Sequence, residues 1–219
     1  MLPKQQKTPA TYLEILVPNL VENLIALDPE AQALLFREAR TANAFTSDPV
    51  SEEQVKALYE LVKWAPTALN AQPMRIVLVR SPEARARLIN HMGPSNKVKT
   101  ASAPLVAVLA ADTDFHNHLP KIFPHFSGAK DMFKDDYAKR LGLATNNAWL
   151  QMGYFILGVR ALGLAAGPMT GIDTAGIDAD LLAGTSLKSI AVVNIGHPAP
   201  EAWFNRSPRL DYDEAVTTL

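Results

Sequence analysis

Residues 64–79, WAPTALNAQPMRIVLV, put more hydrogen-bonding chemistry into a helix-to-strand connection than a plain turn needs. Asn70 carries a donor and an acceptor on one amide. That suits a planar ligand edge showing both groups side by side, as the pyrimidine side of an isoalloxazine ring does. Pro66 and Pro73 stiffen the loop and fix the amide at lower entropic cost, and Thr67 adds a hydroxyl. A helix cap followed by an ordinary turn uses the same residue types, so the loop has to be weighed with the rest of the chain.

Three further stretches offer compatible chemistry. REARTANAF (37–45) gathers Arg40, Thr41 and Asn43 at the end of a helical pattern, donors of the kind a phosphate needs, arginine matching its geometry best. LGLAAGPMTGID (162–173) leaves an apolar helix through glycines and a proline, letting backbone N–H groups approach a flat or anionic ligand. NRSPRL (205–210) adds the cations Arg206 and Arg209. Each also has a plain structural reading, as solvated helix-end arginines, glycine caps or a loose tail.

A rival chemistry lies in DTDFHNHLPKIFPH (112–125). On an extended strand the alternation of Asp112, Asp114, His116 and His118 would put metal-ligand types on one face, with His125 nearby, as in a metal-dependent hydrolase. The proline and aromatics that interrupt the segment favour a loop covering a cleft.

The elements that must position these residues are legible in outline. Asp28-Pro29-Glu30 starts a helix with an aspartate N-cap and proline at the first position. Ser51 and Gln54 make a capping box that opens a second helix. Met74–Arg80 reads as a strand, Ser81-Pro82 as the start of a helix to about Met92, and 103–111 as a strand covered on both faces. Segment 112–133 reads as loop with short helical turns. The apolar run 149–166 reads as a buried helix ending at Gly163 or Gly167, interrupted as it is by Gln151 and Arg160, and not as a membrane span. Lys188–Ile195 is the last strand. Few strands alternating with helices suggest three layers, with helices on both faces of one sheet.

With 21 basic and 22 acidic residues among 219, the chain lacks the charge bias of a nucleic-acid surface or a polybasic membrane anchor. It has no cysteine, which excludes disulfides, thiolate catalysis and cysteine-ligated metal. The N-terminal sequence lacks the uninterrupted apolar segment of a signal peptide, and a cytoplasmic protein is expected. Residues 1–27 read as an N-terminal arm too apolar to stand in water, suited to packing on a partner subunit. Residues 28–219 read as a single domain.

The ordered set ARTANAF, KWAPTALNAQPMRIV, GPMTGID, VNIGHP and SPRLDYDEA resembles the FMN-dependent nitroreductase family, from about Leu35 to the C-terminus. Within it, the chain is most similar to the malonic semialdehyde reductase or NADH dehydrogenase/NAD(P)H nitroreductase subgroup. The resemblance implies an α+β fold, an α/β/α sandwich with a central, mostly antiparallel sheet. It also implies an intertwined homodimer with FMN at the subunit interface, and NADH or NADPH as co-substrate. Arg40 and Thr41 match phosphate-binding positions, with Asn43 beside them. Asn70 matches the asparagine on the flavin pyrimidine edge, after Pro66 and Thr67. Pro168, Met169, Thr170 and Gly171 match the loop facing flavin N5, and Arg206 or Arg209 the C-terminal phosphate ligand. Ping-pong hydride transfer to an aldehyde, nitroaromatic or quinone acceptor is the implied reaction, and a flavin-binding protein without turnover is the alternative. The chain departs from the family pattern at Ala39, Asn43 and Met74, where arginine, a basic residue and tryptophan are frequent. FMN phosphate is about doubly charged, so fewer cations at the front place more demand on Arg206 and Arg209.

Overall fold

The computed structural model describes residues 24–219, so the expected packing of the arm falls largely on residues outside it. The chain divides into two compact units, residues 1–39 and 40–219. In the described part of the first, Asp28 caps helix α1 (Pro29–Gln32) by accepting from Ala31 N at 2.8 Å, and α1 widens into a π-turn over Ala33–Arg37.

The second unit is built on a four-stranded antiparallel sheet. Its strands are β1 (Met74–Val79), β2 (Leu105–Asp112), β3 (Ala165–Met169) and β4 (Leu187–Gly196), in the order β1-β2-β4-β3. The antiparallel sheet agrees with the fold that the resemblance implied. Every residue of β2 is buried, as an apolar run without polar alternation demands. Leu105, Ala107, Leu109 and Ala111 face one core with α2 (Glu52–Val62) and the long α6 (Tyr137–Ala161). Val106, Val108 and Ala110 face another with α3 (Pro82–Asn90) and α7 (Thr174–Asp180), joined on that side by α4 (Pro94–Ser102). The three layers thus follow from the period-2 geometry of a doubly covered strand.

Local signals hold where they were read. The Ser51–Gln54 capping box forms in both directions. Helix α6 ends at Gly163, not Gly167: Gly163 adopts φ 72°, Gly163 N donates to Arg160 O at 2.8 Å and Leu164 N to Val159 O at 3.2 Å, a Schellman ending that suits glycine. Segment 112–133 carries a 3₁₀ turn at Phe115–His118 and the short α5 (Leu119–Ile122).

One expectation needs correction. Pro168 and Met169 belong to β3 and not to a loop. An edge strand tolerates proline because the amide it lacks would face away from its one partner. The polar segment 94–102 is a helix, α4, opened by Pro94 at its first turn. The tail contains α8 (Tyr212–Ala215), with an Asp211–Glu214 capping box. Among the described residues no helix is long and apolar enough to cross a membrane.

Candidate functional site

The loop between α2 and β1 carries three non-glycine residues in the left-handed region, Leu69 at φ 54°, Asn70 at 48° and Gln72 at 43°. Such conformations cost on the order of 1–3 kcal/mol each and persist only where surroundings over-determine them; asparagine tolerates the region best. The surroundings here are specific. Asn147 Oδ1 accepts from Ala68 N at 2.8 Å, and Gln151 Oε1 accepts from Met74 N at 2.9 Å. These two residues stand one turn apart on α6, on one face. Thr67 Oγ1 accepts from Gln72 N at 3.1 Å, and Arg75 Nη1 donates to Gln72 O at 2.8 Å.

Asn70 itself donates to Ile122 O at 2.7 Å and accepts from Gln72 Nε2 at 3.0 Å. An amide has two N–H groups and two lone pairs, so one of each remains to be offered outward, and Asn70 is exposed. Pro66 is exposed beside it and Thr67 half-buried. A surface groove of about 410 Å³ adjoins the loop, lined by Tyr59, Gln72, Arg75, His118 and Lys121 among others.

A second group gathers at the other edge of the sheet. Ala42 N donates to Ala166 O at 3.0 Å and Asn43 N to Ala202 O at 3.0 Å, laying segment 40–46 beside β3 and the chain after β4. Arg40 Nη1 reaches Phe204 O at 3.2 Å, and its guanidinium lies 5.3 Å from the Trp203 ring centroid. Asn43 donates to Thr41 O at 3.3 Å. Gly171 O is fixed by two donors, Gly93 N at 2.9 Å and Asn96 Nδ2 at 3.0 Å. The amides of Thr170 and Gly171, just past the last β3–β4 pair, meet no acceptor among the described residues. That leaves two N–H groups for a ligand. Arg209 turns back onto Ser207 O and Pro208 O at 2.8 and 3.1 Å, and Arg206 is exposed in the same stretch.

The fold therefore lays Ala42 and Asn43, which follow Arg40 and Thr41, beside the edge of β3, the strand that carries Pro168 and Met169 and leads into Thr170 and Gly171. It does not bring Pro66, Thr67 and Asn70 to them. The Asn70 group packs against α5 and α6, while Gly171 packs against the α3–α4 junction on the opposite face. Across the sheet they stand three strand spacings apart, about 14 Å. Asn147, Gln151, Asn96 and Lys99 were not read as site residues from sequence; polar residues at i and i+4 inside the apolar α6 were the available signal for the first two.

The Asp/His segment does not assemble a metal site: among the described residues no three His, Cys, Asp or Glu side chains could hold an ion. Asp112 ends β2 and is engaged by Arg75 Nη2 and Ser186 Oγ, both at 2.6 Å. The 3₁₀ turn breaks the alternation that would have aligned the histidines. His116 is buried with Nδ1 unpartnered. Burial above all, then Arg140, hold its pKa below the ordinary histidine value, against Asp114. A depressed histidine stays neutral in the fold while the unfolded chain protonates near about 6.5. Stability is thus expected to fall as pH drops from about 6.5 to the lowered folded value, and to level off below it. His116→Gln should remove up to about 1.4 kcal/mol per pH unit of that slope, read as urea midpoints of both proteins across the range. Equal slopes in the two proteins would refute the assignment.

A family model described as the nitroreductase family matches residues 36–197. A Streptomyces coelicolor protein named as an NADH dehydrogenase/NAD(P)H nitroreductase is 60% identical over 195 residues, covering 89% of this chain and 99% of that protein. The crystal structure of a Bacillus subtilis nitroreductase superposes with a TM-score of 0.74 at 23% identity, over 87% of this chain and 99% of its own. An Exiguobacterium sibiricum nitroreductase crystallised with FMN gives 0.76 at 16% identity, over 89% and 98%.

Proposed function

The chain belongs to the nitroreductase family, and on that premise we propose that it is an FMN-dependent NAD(P)H oxidoreductase reducing a small aldehyde, nitroaromatic or quinone. The observation that carries the reading is the strained loop at residues 69–72, which holds the Asn70 amide outward with one donor and one acceptor unused. The donor sets fit FMN. The Asn70 edge suits the pyrimidine side of the ring, the Thr170 and Gly171 amides suit the N5 side, and Arg40 with Thr41 suits the phosphate.

When bound, FMN supplies acceptance of a hydride from NAD(P)H and its delivery to the second substrate, in ping-pong order. The chain's part is orientation and electrostatics. Asn147 and Gln151 hold the loop backbone, and Asn96 fixes the Gly171 peptide plane so that the neighbouring N–H groups point outward. No general acid or base is assigned. For the C-terminal phosphate ligand, chain reach favours Arg206: it lies two residues, at most about 7 Å, beyond Phe204, whose carbonyl Arg40 holds, whereas Arg209 lies five beyond.

The division of the candidate residues between opposite edges and faces supports a site completed by a second copy of the chain. The outward face of α6 fits such a partner. Trp149, Leu150 and Tyr154 are exposed there, and a Cβ added at Gly153 would meet nothing within 4 Å.

The test is an absorbance spectrum of the purified protein between about 300 and 500 nm, repeated after anaerobic NADH and NADPH, with light scattering for mass. A flavin spectrum that bleaches supports the enzyme, and one that persists supports a flavin carrier without turnover. A colourless protein that takes up no added FMN rejects both, and a flavin-loaded monomer rejects the shared site.

A further inference from the structure

We propose that Lys99 is a cofactor-facing cation, held by Asn43 against negative charge on the bound FMN; the inference rests on the FMN reading above. Lys99 is half-buried on α4, and its Nζ lies 3.5 Å from Asn43 Oδ1. No carboxylate stands within ion-pair distance of it among the described residues. Arg75, Arg87 and Lys188 have Asp112, Asp180 and Asp178 at 2.6, 2.6 and 3.3 Å. Arg85, also partly buried without a carboxylate, is capped by the carbonyls of Thr100, Ala103 and Val79 at 2.8, 2.7 and 3.2 Å. Against these four, Lys99 has one long hydrogen bond to a neutral amide. A half-buried ammonium in that position has room for a counter-charge, and a bound anion is the available source.

Its place in the fold says which anion. Asn96, one turn earlier on α4, holds Gly171 O at 3.0 Å, and Thr100 Oγ1 lies 3.7 Å from Met169 Sδ. The same helix therefore touches the 169–171 segment through Asn96 and Thr100 and Asn43 through Lys99. Asn43 spends its donor on Thr41 O at 3.3 Å, which aims its oxygen at Lys99. The asparagine thus positions a lysine that arrives from another element. Segment 37–45 then gains the cation that position 43 itself does not provide.

Two negative charges of FMN could be met there, the phosphate and the charge the ring takes on reduction, and the experiment separates them. The full-length protein and its Lys99→Met and Lys99→Arg variants are titrated with FMN and with riboflavin, which lacks the phosphate. The midpoint potential of bound FMN is then measured, with urea midpoints of the flavin-free proteins as the structural control. The methionine keeps the apolar stem, so folding should be intact. A loss of about tenfold or more for FMN, with riboflavin unaffected and arginine restoring affinity, assigns Lys99 to the phosphate. Retained affinity with the midpoint lowered by about 30 mV, the equivalent of a tenfold loss of preference for the reduced state, assigns it to the ring. The inference is overturned by unchanged affinity and potential, by equal losses for both flavins without a change in potential, or by a lowered urea midpoint without flavin. If the unaltered protein binds neither flavin, the FMN reading itself is what has failed.

Discussion

Gly167→Ala is expected to destabilise the protein by about 2–4 kcal/mol and to weaken flavin binding with it. A Cβ at position 167 would stand 2.6 Å from Ala42 O, with Asn194 Cβ and Phe45 Cζ each at 3.5 Å. The nearest obstacle is backbone, so no side chain can swing aside. Ala42 is fully buried and its N–H is tied to Ala166 O at 3.0 Å, while Gly167 pairs with Asn194 across β3–β4. Relief must come from moving segment 41–43 off the sheet edge. Overpacking of this kind costs about 1–3 kcal/mol, and a lost hydrogen bond adds about 1. For a chain of this length the melting temperature should drop by about 4–16 °C. Gly163→Ala is the control. Gly163 has φ 72° and open space around it, so alanine there should cost about 1 kcal/mol through backbone strain and leave flavin affinity unchanged. If Gly167→Ala melts like the parent and binds flavin equally well, segment 41–43 is not pinned as described.

The same glycine shows why the sequence was only partly readable. Caps and strands with local signatures were found where they occur. Asp28 before Pro29, Ser51 with Gln54, and the unbroken apolar run of β2 each state their conformation in a few residues. Ala165–Met169 does not. Its glycine and proline belong to a turn by composition, and they work as a strand only because β3 is an edge and because Ala42 approaches too closely for a side chain. That reason lies more than a hundred residues away. Polar α4, PSNKVKTAS, carries no apolar stripe, and its role depends on partners at 43 and 169–171. The antiparallel order of the sheet also has no local signature; the family resemblance supplied it. At the site, the residue types of the 66–70 loop were legible as ligand chemistry. The left-handed backbone at Leu69, Asn70 and Gln72 was not, since no glycine marks it. Gln151 was visible as a polar break in an apolar helix, yet only the fold shows that it and Asn147 hold that loop.

Asn70 should be the position where flavin binding is most sensitive, and two substitutions separate its amide from its backbone. Asn70→Gly keeps the φ of 48° accessible and removes the amide; Asn70→Ala removes both. Without the amide, the carbonyl of Ile122 loses its donor and Gln72 Nε2 its acceptor. The outward donor and acceptor are lost as well. At about 0.5–1.5 kcal/mol net for each hydrogen bond to ligand, with a loosened Gln72 behind them, both variants should bind FMN about 30- to 100-fold more weakly. Only alanine meets the steric penalty of the left-handed region, about 1–2 kcal/mol, so Asn70→Ala should show the lower urea midpoint. Asn147→Ala supplies the third comparison. It strips the Ala68 amide of its acceptor from the α6 side and leaves Asn70 itself in place. Flavin affinity should then fall by less, about three- to tenfold, while stability drops by about 1–3 kcal/mol for the unpaired group. Fluorescence titration and urea denaturation of the three variants decide between amide and scaffold. Should Asn70→Gly bind FMN as the parent does, the outward amide edge is not a flavin contact, and the strain in the loop serves another purpose.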